Sequence, residues 1–193
     1  MAAPLILAST SRYRRELLER LRLPFEVLAP DVDEAHLNGE APAVRAQRLA
    51  LAKATAAADA RPDAVVIGGD QVALCGLQVL DKPGDADGCR AQLSLLSGRS
   101  AIFHTAVAVL CRARSFSDCF VDVTELKFRA LTGAEIERYI EIDQPFHCAG
   151  SFRSESLGVS LFAHMETNDP TGLIGLPLIR LAQSLRATGF RLP

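Results

Sequence analysis

The chain has 193 residues, 49% of them apolar and 23% charged, with a formal net charge of −2. That is the profile of an ordinary globular protein large enough for one domain or for two small lobes around a shared cleft. So small a charge provides no general field for gripping nucleic acid or an anionic membrane, and it confines any anion site to a local cluster.

Residues 5–8, Leu-Ile-Leu-Ala, have the length and character of a short buried strand, and residues 14–23 predict a helix with Leu17, Leu18 and Leu21 on one face. Between them lie Ser9, Thr10 and Ser11, then Arg12, Arg14 and Arg15. Arginine opposes the partial positive charge that a helix start already carries. Hydroxyls, guanidinium groups and unpaired N–H groups in one place suit a bound anion. A solvated basic helix face accounts for the same residues.

Pro24 and Pro30 bracket an extended piece at 25–29, and the acidic, turn-forming residues 31–40 predict a loop. An Ala-rich helix spans 43–58. The β-branched run 64–67 ends in Gly68-Gly69-Asp70 and reads as a central buried strand that stops at the glycines. Residues 72–75 and 77–80 flank Gly76 as a hairpin. Asp85 is placed to N-cap a helix that ends before Gly98. Residues 102–110 and 119–128 are long and strand-like. Thr132-Gly133-Ala134-Glu135 has the capping-box form and starts a helix through Tyr139. Residues 157–162 alternate as a strand, and Pro177 opens a last helix with Leu178, Leu181, Ala182 and Leu185 on one face. Interleaved strands and helices predict an α/β fold with a mixed, twisted sheet and flanking helices, without a clean domain boundary.

Chemistry-bearing residues are few. Asp70 follows an apolar strand and two glycines, the address at which open α/β sheets place ligand chemistry, although an isolated Gly-Gly-Asp is more often a turn. Glu34, in Asp31-Val32-Asp33-Glu34, offers carboxylate oxygens to a hard divalent cation or is simply solvated. Lys82-Pro83 returns a cation after the hairpin. Arg45, Arg48 and Lys53 read as a solvated helix face. The neighbours His147 and Cys148 make a poor nucleophilic pair, since adjacent residues seldom point at each other. Five cysteines, at 75, 89, 111, 119 and 148, form no C-x-x-C pair, which suits reduced thiols in a cytoplasmic protein. No P-loop, dinucleotide fingerprint, metalloprotease motif or nucleophile elbow occurs.

In order along the chain stand Leu-Ala-Ser-Thr-Ser-x-Tyr-Arg-Arg-Glu-Leu-Leu (7–18), Asp-Val-Asp-Glu (31–34), Arg-Leu-Ala-x-x-Lys-Ala (48–54) and Ile-Gly-Gly-Asp-Gln-Val (67–72). Lys-Pro (82–83), His-Cys-Ala-Gly-Ser-Phe-x-Ser-Glu (147–155) and Gly-Leu-Pro-Leu (175–178) complete the set. Together they resemble the Maf family of nucleotide pyrophosphatases over nearly the whole chain, as a single domain. The resemblance implies an elongated, two-lobed, inosine-triphosphatase-like α/β architecture with a central cleft. It also implies hydrolysis of a nucleoside triphosphate to the monophosphate and pyrophosphate with Mg²⁺ or Mn²⁺, and a homodimer; the net charge and the lack of a basic stripe argue for no nucleic-acid or membrane partner.

Within the family the chain is most similar to the branch acting on 7-methyl-GTP, on three positions: an aromatic at Tyr13, Gln71 after the acidic residue, and Glu155 in place of a glutamine. The cationic methylated base suits the face of an aromatic ring, and a carboxylate can accept from guanine N1–H and its N2 amine. On this resemblance Asp70 is the general base or metal-anchoring carboxylate, with Glu34 as second acid. Ser9, Arg14, Lys53 and Lys82 bind the triphosphate and stabilise the leaving pyrophosphate. The chain departs from the pattern at Arg12 (proline expected), Gly69 (serine), Ser156 (glycine) and at Asp81 beside Lys82. A dTTP/UTP pyrophosphatase and a non-catalytic nucleotide-binding regulator of septum formation are the competing readings.

Overall fold

The computed structural model describes residues 3–193. Strand β1 (Leu5–Ala8) is wholly buried and leads into helix α1 (Arg12–Glu19), with Leu17 and Leu18 on its buried face. Ser11 caps that helix by accepting from the Arg14 amide. The helix therefore starts two residues earlier than the apolar spacing predicts and ends at Glu19 with Arg20 as its C-cap, before the turn in which Arg22 has φ 56° and short of Leu23. Next come β2 (Glu26–Leu28), the loop, and α2 (Pro42–Ala60) with proline in its first turn. Strand β3 (Val65–Cys75) turns at Gly76, φ 61°, into β4 (Gln78–Val79). Helix α3 (Ala86–Leu96) is capped by Asp85, whose side chain accepts from the Gly88 amide. Strands β5 (Ser100–Cys111) and β6 (Phe116–Phe128) precede α4 (Gly133–Asp143), which carries the full Thr132/Glu135 capping box. Strand β7 (Phe162–Thr167) and α5 (Leu178–Ala187) complete the chain.

The sheet runs β2-β1-β3-β5-β6-β7, with β4 on β3. Strand β1 is parallel to β2 and β3, whereas β3/β4 and β6/β7 are antiparallel, so the sheet is mixed as expected. Two expectations fail. The predicted strand at 157–162 is a 3₁₀ turn, Leu157–Leu161, and only Phe162 onward pairs in the sheet. Its alternation is not that of a one-sided strand, because Leu161 is buried while Leu157 and Val159 are exposed. The second concerns Asp70, which does not follow the end of a strand but lies inside one: β3 continues through both glycines to Cys75. Neither Gly68 nor Gly69 adopts a positive φ. What they supply is room.

Two compact units make up the chain, one comprising residues up to 71 with 105–122 and 169–193, the other 72–104 with 123–168. The first unit has a continuous apolar core that includes Leu7, Leu17, Val65, Ile67, Val107 and Leu181. Each such side chain contributes about 1.5–3 kcal/mol on burial. The Ala-rich face of α2 comes so close to β3 that a Cβ on Gly68 would sit 2.3 Å from the Ala50 carbonyl oxygen. The second unit is centred on Phe103, Phe128, Phe152 and Phe162, whose rings meet edge to face with centroids 5.0–5.6 Å apart.

Candidate active site

Strand period and helix period together create the charged cluster of the first unit. Gly68 and Asp70 are two residues apart on β3 and so share a face, the one pressed against α2. Lys53 stands one turn along α2 from Ala50, which packs on Gly68. Its ammonium therefore meets Asp70, with Nζ 2.7 Å from Oδ1. The same ammonium lies 2.9 Å from Glu34 Oε1. Lys53 and Asp70 are 7% and 8% exposed, whereas the Glu34 side chain is largely in solvent. Lys53 is thus no solvated helix residue but a buried cation between two carboxylates. Loop 31–40 holds Glu34 there: the Ala35 amide donates to Asp33 Oδ1, and Arg48 donates both to the Ala35 carbonyl and to the Glu40 carboxylate.

Arg14 comes in from the start of α1. Its Nη1 donates to the buried Ser9 Oγ at 3.3 Å and its Nε to the Gly175 carbonyl at 3.1 Å. Two glycines make this passage: a Cβ on Gly69 would lie 3.2 Å from Arg14 Nε, and one on Gly175 3.3 Å from Arg14 Cγ. Burial lowers the guanidinium pKa, opposed by the charges of Asp70 and Glu34. Guanidinium stays cationic regardless. Ser9, Arg14, Glu34, Lys53 and Asp70, separated in the chain, are therefore gathered by the first unit.

Gln71 points to the face of β3 opposite Asp70. Its Nε2 donates to Thr105 Oγ1 at 2.8 Å and to the carbonyls of Leu173 and Gly172 at 3.0 and 3.3 Å, while Thr105 donates to Gly172 at 2.9 Å. Around the Tyr13 ring the Arg12 guanidinium is stacked, its Cζ 4.7 Å from the centroid, and Arg12 also donates to the Tyr13 hydroxyl. In the second unit Lys82 is exposed after β4, and Glu155 sits on a turn with its carboxylate 3.4 Å from Arg153 Nε.

Three contributors escaped the sequence reading. Thr105 is hidden inside an apolar strand, where a β-branched residue attracts no notice. Asp169 is 3% exposed and caps α5 from a distance, accepting from the Ile179 amide and from Thr171, whose hydroxyl accepts from the Leu178 amide. The polar run Asn168-Asp169-Pro170-Thr171-Gly172 was its only signal. The Gly175 carbonyl is a backbone atom and leaves no mark on composition.

No group of three or more His, Cys, Asp or Glu side chains able to hold a metal occurs among the described residues. Asp70 and Glu34 converge, however, and each commits one oxygen to Lys53. That donor set fits a Mg²⁺-type ion, which takes one or two carboxylates and completes its shell with phosphate oxygens and water. No helix among the described residues is long and apolar enough to cross a membrane.

The sequence model of the family described as Maf-like protein matches residues 4–188. A protein of Polaromonas sp. named 7-methyl-GTP pyrophosphatase is 51% identical over 189 residues, 98% of this chain and 86% of the relative. Proteins of the same name from Xanthomonas oryzae pv. oryzae and Thiobacillus denitrificans are 52% and 53% identical. They are matched over 100% and 96% of this chain and over 100% and 92% of their own lengths. Matched by that model over residues 4–188 and about half identical to these relatives over nearly its whole length, the chain belongs to the Maf family.

Proposed function

We propose that the protein is a nucleoside triphosphate pyrophosphatase that cleaves 7-methyl-GTP to 7-methyl-GMP and pyrophosphate. The observation that carries this reading is the buried Lys53–Asp70 pair with Arg14 and Ser9 beside it. Burying charge is costly, and buried charged clusters of this kind concentrate where chemistry is done. Asp70 accepts the proton of the water that attacks the α-phosphorus, and the P–O bond to the leaving pyrophosphate breaks. Lys53 orients that carboxylate through the 2.7 Å contact. Arg14, Ser9, Lys53 and Lys82 bind the triphosphate and stabilise charge on the leaving group. Mg²⁺ or Mn²⁺ would be held by Asp70 and Glu34 together with substrate phosphates, and supplies charge neutralisation and a more acidic water.

For the base, Glu155 accepts from guanine N1–H and the N2 amine, an edge that thymine and uracil do not present. The Tyr13 ring already carries a flat cation, Arg12, and the methylated guanine competes for the same preference. Gln71 supports this selectivity by fixing the 172–173 backbone. The reading includes an assembly of two copies in the cytoplasm, the latter in keeping with five free thiols. Incubating purified protein with Mg²⁺ or Mn²⁺ and a panel of 7-methyl-GTP, GTP, dTTP and UTP tests it. Pyrophosphate release highest on 7-methyl-GTP is expected. Phosphate without pyrophosphate would refute the bond assignment, and preference for dTTP or UTP the base assignment.

A further inference from the structure

The 153–156 turn, which carries Glu155, is tied down at both ends by one face of α4. Tyr139 and Asp143 stand one helical turn apart, so their side chains share that face, and they are 2% and 8% exposed. At the start of the turn the Arg153 amide donates to the Tyr139 hydroxyl oxygen at 3.0 Å. At its end Ser156 Oγ donates to Asp143 Oδ1 at 2.8 Å. Burial before any other cause pushes the Tyr139 pKa up, so this hydroxyl stays neutral. Two side chains on one face of α4 thus hold the two ends of the turn, one by its hydroxyl and one by its carboxylate. Within the turn the Ser156 amide donates to the Arg153 carbonyl at 3.2 Å. Gly158 allows the backbone to close on itself, since a Cβ there would lie 2.4 Å from that carbonyl oxygen.

Apart from Arg153 Nε, these contacts touch the backbone and neighbours of Glu155 and leave its carboxylate alone. They set where the carboxylate is presented. Ser156 supplies the side-chain hydroxyl that ties the end of the turn to α4.

We propose that Tyr139, Asp143 and Ser156 are positioning residues for base recognition, clamping the 153–156 turn so that Glu155 meets the guanine edge. The proposal rests on Glu155 being the base acceptor. The test measures kcat and KM on 7-methyl-GTP and on UTP, which lacks that edge, for the wild type, Ser156→Ala, Ser156→Thr, Tyr139→Phe, Glu155→Gln and the Ser156→Ala/Glu155→Gln double variant. Ser156→Ala is expected to lower kcat/KM on 7-methyl-GTP about tenfold, mainly through KM, as loss of a hydrogen bond to a charged group does. Its effect on UTP should stay under about twofold. Ser156→Thr keeps the hydroxyl and restores the preference, and Tyr139→Phe repeats the selective loss from the other end of the turn. On the Glu155→Gln background Ser156→Ala adds nothing further, because coupled residues do not add. Equal losses on both nucleotides, additivity in the double variant, or preference retained in both Ser156→Ala and Tyr139→Phe would overturn the clamp. If Glu155→Gln alone keeps the preference, the base-acceptor reading fails and the clamp falls with it. If Glu155→Gln loses it while Ser156→Ala does not, the clamp fails alone.

Discussion

The charged cluster of the first unit and the Glu155 turn of the second are built on opposite economies of chain and solvent. Ser9, Arg14, Glu34, Lys53 and Asp70 come from three secondary-structure elements and two loops, and Lys53 and Asp70 are almost out of water. The turn is short and local, leans on the one helix that precedes it, and leaves the Glu155 side chain 23% exposed. Phosphate chemistry needs charges held before substrate arrives, in a place where water does not screen them. Reading a base edge needs one acceptor at the right height, and a pinned turn supplies that. The first region should therefore govern turnover and stability together, and the second the choice of nucleotide.

The widest gap between the regions is expected for Asp70→Asn, which should lower kcat at least about a thousandfold while the fold persists, loss of a general base and metal-anchoring carboxylate together. Steady-state pyrophosphate release and circular dichroism check it, and a folded variant with normal turnover would sink the assignment. Next comes Lys53→Met. Removing one partner of a buried pair leaves Asp70 uncompensated and should cost about 3 kcal/mol in urea unfolding. A loss under about 1 kcal/mol, the level of an exposed pair, would mean that the cluster is no more buried than the turn.

Gly175→Ala should act more gently. The residue has φ 133°, and the new Cβ would press on Arg14, so KM for every nucleotide should rise several-fold without a change in base preference. A shift in preference instead would tie base choice to the Arg14 cluster as well as to the turn. The smallest effect belongs to Asp122, whose carboxyl burial, with the neighbouring Asp169 charge, pushes up from 3.8 to about 6. A carboxyl with a raised folded-state value favours folding below its unfolded value, near 4, and loses that contribution as pH rises through about 6. Asp122→Asn should therefore match the wild type near pH 4 in urea unfolding and become the more stable of the two toward pH 7. A constant difference between the two across that range would rule this out.

Some of this architecture was plain in the order of residues. Asp85, Thr132 with Glu135, Pro177 and Gly76 each act through neighbours within a few residues, and each structure they announce is present. Residues 157–162 were misread because alternation over six residues does not distinguish a strand from a turn whose apolar side chains face outward. Spacing alone gives Lys53 a solvated helix face, because nothing near it in the chain shows that this face meets a glycine of β3; the ordered motifs alone mark it as a phosphate ligand.

Strand and helix alternation, helix caps, the hairpin and the ordered set of Maf motifs were determined by the sequence itself, since local hydrogen bonding and side-chain period decide them. Only the tertiary structure decided that Gly68 and Gly69 are clearances rather than a strand end, one for α2 and one for Arg14. It alone placed Lys53 between Asp70 and Glu34, and Ser156 on Asp143. These depend on how closely distant segments approach, to within a few tenths of an ångström, and that distance is set by packing across the sheet.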